Sequence, residues 1–64
     1  MKCYICEVKA PTLVIKPIDE YYPDVVVCDD EQCRINGEIS RYSLTETVSL
    51  ADYPAELVQY LEYA

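Results

Sequence analysis

The residues in this 64-residue chain best suited to chemistry are its four cysteines, which come in two pairs. Cys3 and Cys6 form a C-x2-C pair inside MKCYIC, and Cys28 and Cys33 form a C-x4-C pair inside VVVCDDEQCR. The short spacing of the first pair lets two thiolates converge on one ion from a tight turn. Four thiolates in a tetrahedron satisfy Zn2+ with bonds of about 2.3 Å. The chain has no histidine, so Cys3, Cys6, Cys28 and Cys33 are its only standard ligand set, and the expected cofactor is a structural Zn2+. Two disulfides in any of three connectivities, an iron tetrathiolate, and a redox-active C-x2-C remain open alternatives. The last of these needs an electropositive neighbourhood to lower a thiol pKa, and Lys2 alone is thin support for one.

Catalysis is not expected. Without histidine the usual general base near neutral pH is missing, and a four-thiolate site leaves no open coordination position for water. Gly37 is the only glycine, so no glycine-rich phosphate loop exists. The seryl and acidic side chains show no nucleophile–base pairing.

The elements that must bring the cysteines together can be read around them. One domain spanning residues 1–64 is expected, with a cysteine-bearing part (1–36) and an acidic part (37–64). A chain this short sits near the lower limit for folding on hydrophobic burial alone, so a staple is expected. Thr12-Leu13-Val14-Ile15-Lys16-Pro17-Ile18 is β-branched and reads as a strand, ended or held at a sheet edge by Pro17. Residues 19–24 are polar and contain Pro23, which suits a connection. Val25-Val26-Val27-Cys28 resumes a strand, and the two strands suggest a β-hairpin that returns the second cysteine pair to the first. A short helix is expected after it, capped by Asp29 or Asp30 and stopped by a left-handed Asn36-Gly37. The competing reading makes Asn36-Gly37 a hairpin turn. Residues 40–50 alternate loosely, with Tyr42, Leu44, Val48 and Leu50 apolar, as in a strand. Residues 53–63 carry Pro54 near the start and Leu57, Val58, Tyr60, Leu61 and, just beyond, Ala64 at helical spacing, which predicts an amphipathic helix. The fold class is therefore α+β.

A C-x2-C, an interval of about 20 residues, then an apolar strand running into one cysteine and a second cysteine at a helix start resemble a treble-clef zinc finger. The pattern is similar in particular to the small MYM/TRASH-type modules, which carry C-x2-C followed by an aromatic-Cys-x3-Cys. This chain has Val27 before Cys28 where those modules prefer an aromatic, and four residues between its second cysteines rather than three. The resemblance covers residues 3–36 and rests on the four cysteines. It implies a structural metal and a protein-interaction or adaptor role.

Charge sorts the partners. The net charge is −7, and it is uneven: residues 1–28 hold three lysines against four acids, residues 29–64 two arginines against eight acids. This disfavours phosphate backbones, which reward Lys and Arg. Four zinc-bound thiolates add negative charge, which Lys2, Lys9 and Arg34 are near enough in sequence to offset. Seven tyrosines with no Trp or Phe must serve as the aromatic core and as interface anchors. Tyr21, Tyr22, Tyr60 and Tyr63, with Asp29, Asp30 and Glu31, are the expected partner-binding residues. A protein partner is expected first. An acidic decoy that mimics nucleic acid is the second reading, and a zinc-ribbon-like nucleic-acid binder the third. Self-association stays open. The N-terminal residues have no apolar region of the secretory kind, and no apolar run approaches the roughly 20 residues that span a bilayer. The expected location is the cytoplasm, a host's if the chain is viral or from a mobile element, as its shortness and acidity suggest.

Overall fold

In a computed structural model, which describes residues 1–19 and 21–63, the chain builds a three-stranded antiparallel sheet and one α-helix. Strands β1 (Leu13–Pro17), β2 (Val25–Val27) and β3 (Thr45–Ser49) lie in the order β2-β1-β3, and helix α1 (Glu31–Ile39) sits between β2 and β3 in the chain. The expected hairpin is present: Leu13, Val14 and Ile15 pair with Val27, Val26 and Val25. Glu20, in the connection, and Ala64, at the end, lie outside the described residues.

The period-two geometry of β1 and β2 splits the core into two layers. Ile15, Val25 and Val27 point to one face and pack with Cys3, Cys28 and Cys33, while Val14 and Val26 point to the other and pack with Leu61. All of these are buried, and each fully buried aliphatic side chain contributes about 1.5–3 kcal/mol. A strand buried on both faces reads as an unbroken apolar run, which explains VVV. No tyrosine is buried among the described residues. The core is aliphatic and sulfur-lined, contrary to the expected aromatic core, and Tyr4 and Tyr53 only flank it.

Helix α1 starts where its sequence predicts. Asp30 is the N-cap, its Oδ1 accepting from the N–H groups of Gln32 and Cys33 at 2.9 and 3.4 Å. It does not stop at Asn36-Gly37. The helix runs on to Ile39, and Gly37 has ordinary negative φ. A Cβ at Gly37 would stand 2.6 Å from Ile15 Cδ1 and 2.9 Å from Val27 Cγ1. The glycine is there to let the helix backbone lie directly on the sheet. The chain leaves the helix through Ser40, whose Oγ donates to the Gly37 carbonyl at 2.6 Å, and through Tyr42, which holds the left-handed conformation (φ 56°).

Strand β3 begins later than the alternation suggests, leaving Tyr42 and Leu44 exposed outside it. Residues 53–63 do not form an α-helix. Ser49 caps a short 3-10 turn (Leu50–Asp52), and a second 3-10 segment covers Ala55–Tyr60. The cause is the pairing of the next two residues, Leu61 and Glu62, which are extended. Val26 N–H donates to the Glu62 carbonyl at 3.1 Å, and Glu62 N–H to the Asp24 carbonyl at 2.9 Å, a parallel bridge on the outer edge of β2. Those sheet-edge bonds take the end of the segment out of helical reach. The six residues left are far below the roughly 12 that sustain an isolated α-helix. Val58 and Leu61, three apart, suit the tighter winding and both turn toward the sheet.

Candidate metal centre

The two cysteine pairs arrive at one point from different elements. Cys3 and Cys6 lie in a turn closed by Glu7 N–H donating to the Cys3 carbonyl at 3.0 Å, with Cys3 N–H on the Lys9 carbonyl at 2.9 Å. Glu7 carries φ 61° to make that turn, a conformation that costs a residue with a Cβ more than it costs glycine. Tyr4, inside the turn, donates its N–H to the Val26 carbonyl at 2.9 Å, pinning the turn to the outer edge of β2. Cys28 follows β2 directly, and Cys33 is the third residue of α1. The long second spacing is what a pair needs when one member ends a strand and the other lies in the first turn of a helix.

All four Sγ atoms lie within 4.8 Å of one another, with Cys6 and Cys28 4.0 Å apart. All four cysteines are free thiols. Metal–sulfur bonds of about 2.3 Å place the sulfurs of a tetrahedron about 3.8 Å apart, so the cluster is close to the size an ion requires. Cys3, Cys28 and Cys33 are buried and Cys6 is partly so, which makes the site closed.

The electrostatics of the four sulfurs differ. For Cys3 burial is the strongest influence and opposes ionisation, but backbone N–H groups of Cys6, Cys28 and Ile5 together outweigh it and hold the thiol down at about 6. The N–H groups of Lys9 and Val8 lower Cys6. Cys28 receives the Asp30 N–H, which favours its thiolate, yet burial and the neighbouring sulfurs leave it raised. Burial, then the sulfurs of Cys28 and Cys3, push Cys33 up to about 12. Four anions so close cannot coexist without a compensating cation. The donor set therefore fits a metal ion that displaces the remaining protons.

The partner-binding candidates are dispersed. Tyr21, Tyr60 and Tyr63 are exposed, and Tyr22 is half-buried with its ring 5.5 Å from that of Tyr21. Asp29 and Glu31 are exposed beside the cysteine cluster, whereas Asp30 is committed to capping α1. Lys2 and Lys9 stay exposed, and Arg34 pairs with Glu38 at 3.1 Å.

Arg41 was not singled out by its sequence context, and it ties the molecule together. It is 4% exposed, the one buried charged residue among those described. Its guanidinium lies between the rings of Tyr4 and Tyr22, at 5.5 and 5.7 Å from their centroids. It donates to the Pro23 carbonyl at 3.0 Å and to Ser40 Oγ at 3.2 Å, and pairs with Glu62 at 3.2 Å. One side chain thus joins the cysteine turn, the β1–β2 connection, the end of α1 and the C-terminal segment. The only sequence signal was a lone arginine between Ser40 and Tyr42.

No family model, curated protein or solved structure matches this chain. Among the described residues no helix is long and apolar enough to cross a membrane.

Proposed function

We propose that the chain is a zinc-stapled, treble-clef-like protein-interaction module, in which Zn2+ held by Cys3, Cys6, Cys28 and Cys33 is structural and the surface binds a protein. The observation that carries this is the convergence of four free thiols from a tight turn, a strand end and a first helical turn into one closed cluster. Zinc is the metal whose common structural form is four thiolates in a tetrahedron. A closed thiolate site offers no coordination position to a substrate, so the reading places no catalysis there. Binding free energy at such a site becomes folding free energy, which suits a core as small as this one.

The interaction reading is preferred to the nucleic-acid decoy because the acids are scattered over the connections, α1, β3 and the C-terminal segment, with none in β1 or β2, and several serve the fold. Asp24 accepts from Tyr53 OH at 2.7 Å, Asp30 caps α1, Glu38 holds Arg34 and Thr47, and Glu62 holds Arg41. Native mass spectrometry before and after chelation tests the metal half of the proposal. One zinc per chain, lost on chelation together with the dispersed amide spectrum, is expected. Two fewer protons per disulfide, or an iron mass, refutes it. Affinity capture on the zinc-loaded chain from its native host tests the other half, and failure to recover a stable protein partner counts against it.

A further inference from the structure

The shallow pocket between Pro11 and Ala51 has no charged side chain in its lining, and of the acids at the start of α1 Asp30 is the helix cap while Asp29 and Glu31 are merely exposed side chains. The end of the sheet opposite the cysteines is different. We propose that this end is a docking surface for a cationic protein segment with aliphatic side chains; the proposal rests on the interaction reading above and says where, and with what chemistry, binding occurs.

Two connections meet there. Ile18 N–H donates to the Leu44 carbonyl at 2.8 Å, which sets those residues side by side where β1 and β3 end. The ring of Tyr22 touches both Tyr21 and Tyr42, with centroids 5.5 and 6.1 Å apart, and Tyr42 N–H bonds the Ile39 carbonyl at 3.2 Å. Ile18, Tyr21, Ile39, Tyr42 and Leu44 are 64–82% exposed. Isolated exposed apolar residues are ordinary, but five carried by two adjoining connections in a chain this small mark a contact surface.

The surface is held in shape. Buried Arg41 stacks on Tyr22, which in turn supports Tyr42. Tyr42 also keeps a positive φ, a backbone cost that persists only where its surroundings fix it. Preorganised aromatic side chains lose little freedom on binding, which is why tyrosine serves well as an anchor.

Charge selects the occupant. Among the described residues the exposed charges bordering the patch are Asp19 and Glu46, and the only cation in the sequence of residues 18–24 and 38–46 is Arg41, which is buried. Lys16 is half-buried and faces Glu46 across the β1–β3 ladder. A second copy of this chain would set acid against acid, at a net charge of −7 on each. Nucleic acids and anionic membranes are repelled for the same reason. A segment with Lys or Arg at its margin and aliphatic side chains at its centre meets both requirements, and arginine gains further from the tyrosine faces.

The test uses the isotope-labelled, zinc-loaded full chain, titrated with a short amphipathic Lys/Leu peptide, its Glu/Leu counterpart, and phosphatidylcholine vesicles, with amide shifts as the readout. Shifts from the Lys/Leu peptide centred on Ile18, Tyr21, Tyr42 and Leu44, weakened by salt and absent with the other two probes, are expected. The variant Tyr42→Asn/Leu44→Ser, in which asparagine tolerates the left-handed backbone, is expected to weaken the peptide by about tenfold or more while zinc content and melting temperature hold. A second variant, Asp19→Asn/Glu46→Lys, removes one bordering charge and reverses the other, while the asparagine oxygen can still accept from Tyr21 N–H as Asp19 Oδ1 does at 2.9 Å; it is expected to shift the preference toward the Glu/Leu peptide. Shifts centred instead on Tyr60 and Tyr63 overturn this assignment and leave the protein-interaction reading standing. An equal response to Glu/Leu or to vesicles, shifts that grow with protein concentration alone, or no shift with any probe also overturns it.

Discussion

Replacing Gly37 with alanine sets two well-calibrated effects against each other. In a helix interior alanine is favoured over glycine by about 1 kcal/mol, so local propensity alone makes Gly37→Ala stabilising. The new methyl, however, would stand 2.6 Å from Ile15 Cδ1 and 2.9 Å from Val27 Cγ1, where carbon atoms prefer about 3.5–4.0 Å. Both neighbours are fully buried, and Val27 is β-branched and stiff, so relief requires the helix to lift from the sheet. Overpacking of this kind costs about 1–3 kcal/mol. The expected net effect is a loss of about 1 kcal/mol, which lowers the melting temperature by about 4–8 °C in a domain of this size. Ile15→Val removes the nearer contact atom at a cost of about 1 kcal/mol by itself. The double variant should then show a favourable coupling of about 1 kcal/mol. The assay is thermal unfolding of all four proteins at one fixed free-zinc concentration, since metal binding contributes to the measured stability. A Gly37→Ala protein that melts higher than the parent, or a cycle that closes without coupling, refutes the close helix–sheet approach.

Arg41→Ala is expected to cost about 3 kcal/mol in urea unfolding, because it removes a buried side chain that donates to the Pro23 carbonyl and Ser40 Oγ, pairs with Glu62 and packs on two rings. Glu62→Gln should cost less than about 1 kcal/mol, since that carboxylate is 42% exposed and its ion pair is correspondingly weak. Tyr53, raised to about 12 by burial and by the hydrogen bond and charge of Asp24, keeps its proton in the fold at a pH where the unfolded chain loses it near 10. Its contribution is whole below about pH 10 and fades between about 10 and 12, so Tyr53→Phe should start less stable at neutral pH and lose less over that window in alkaline unfolding titrations. Cys33→Ser is expected to abolish stoichiometric zinc binding and, with it, the cooperative melt, read by native mass spectrometry and calorimetry on one sample.

What was legible in the sequence was what short-range patterns dictate. The β-branched runs, Pro17 and the polar interval fixed a hairpin. Asp30 before Glu31 announced a helix start, and the two cysteine spacings announced a shared site. Misreadings arose where a long-range contact overrode a local rule. Asn36-Gly37 has the composition of a helix stop, but the glycine answers to Ile15 and Val27 on another element. Residues 53–63 have helical spacing, but the open edge of β2 draws Leu61 and Glu62 into extended pairing. The tyrosines looked like core because nothing larger was available, yet the valines and cysteines fill both layers without them. Arg41 gave no sign of itself, since its partners come from four separate segments.

Val26 is where the two arms of the chain meet. Its carbonyl accepts from Tyr4 and its N–H donates to Glu62, so the outer edge of Val25–Val27 is sealed by segments far apart in sequence. A short, uncharged, β-branched run is the composition that stacks into intermolecular sheets when its edge lies bare. Proteolytic trimming of either arm would therefore do more than loosen the fold: it would uncover a template for aggregation. The acidity of this protein and the closure at Val26 protect against the same hazard, one by repulsion between molecules and the other by occupying the edge.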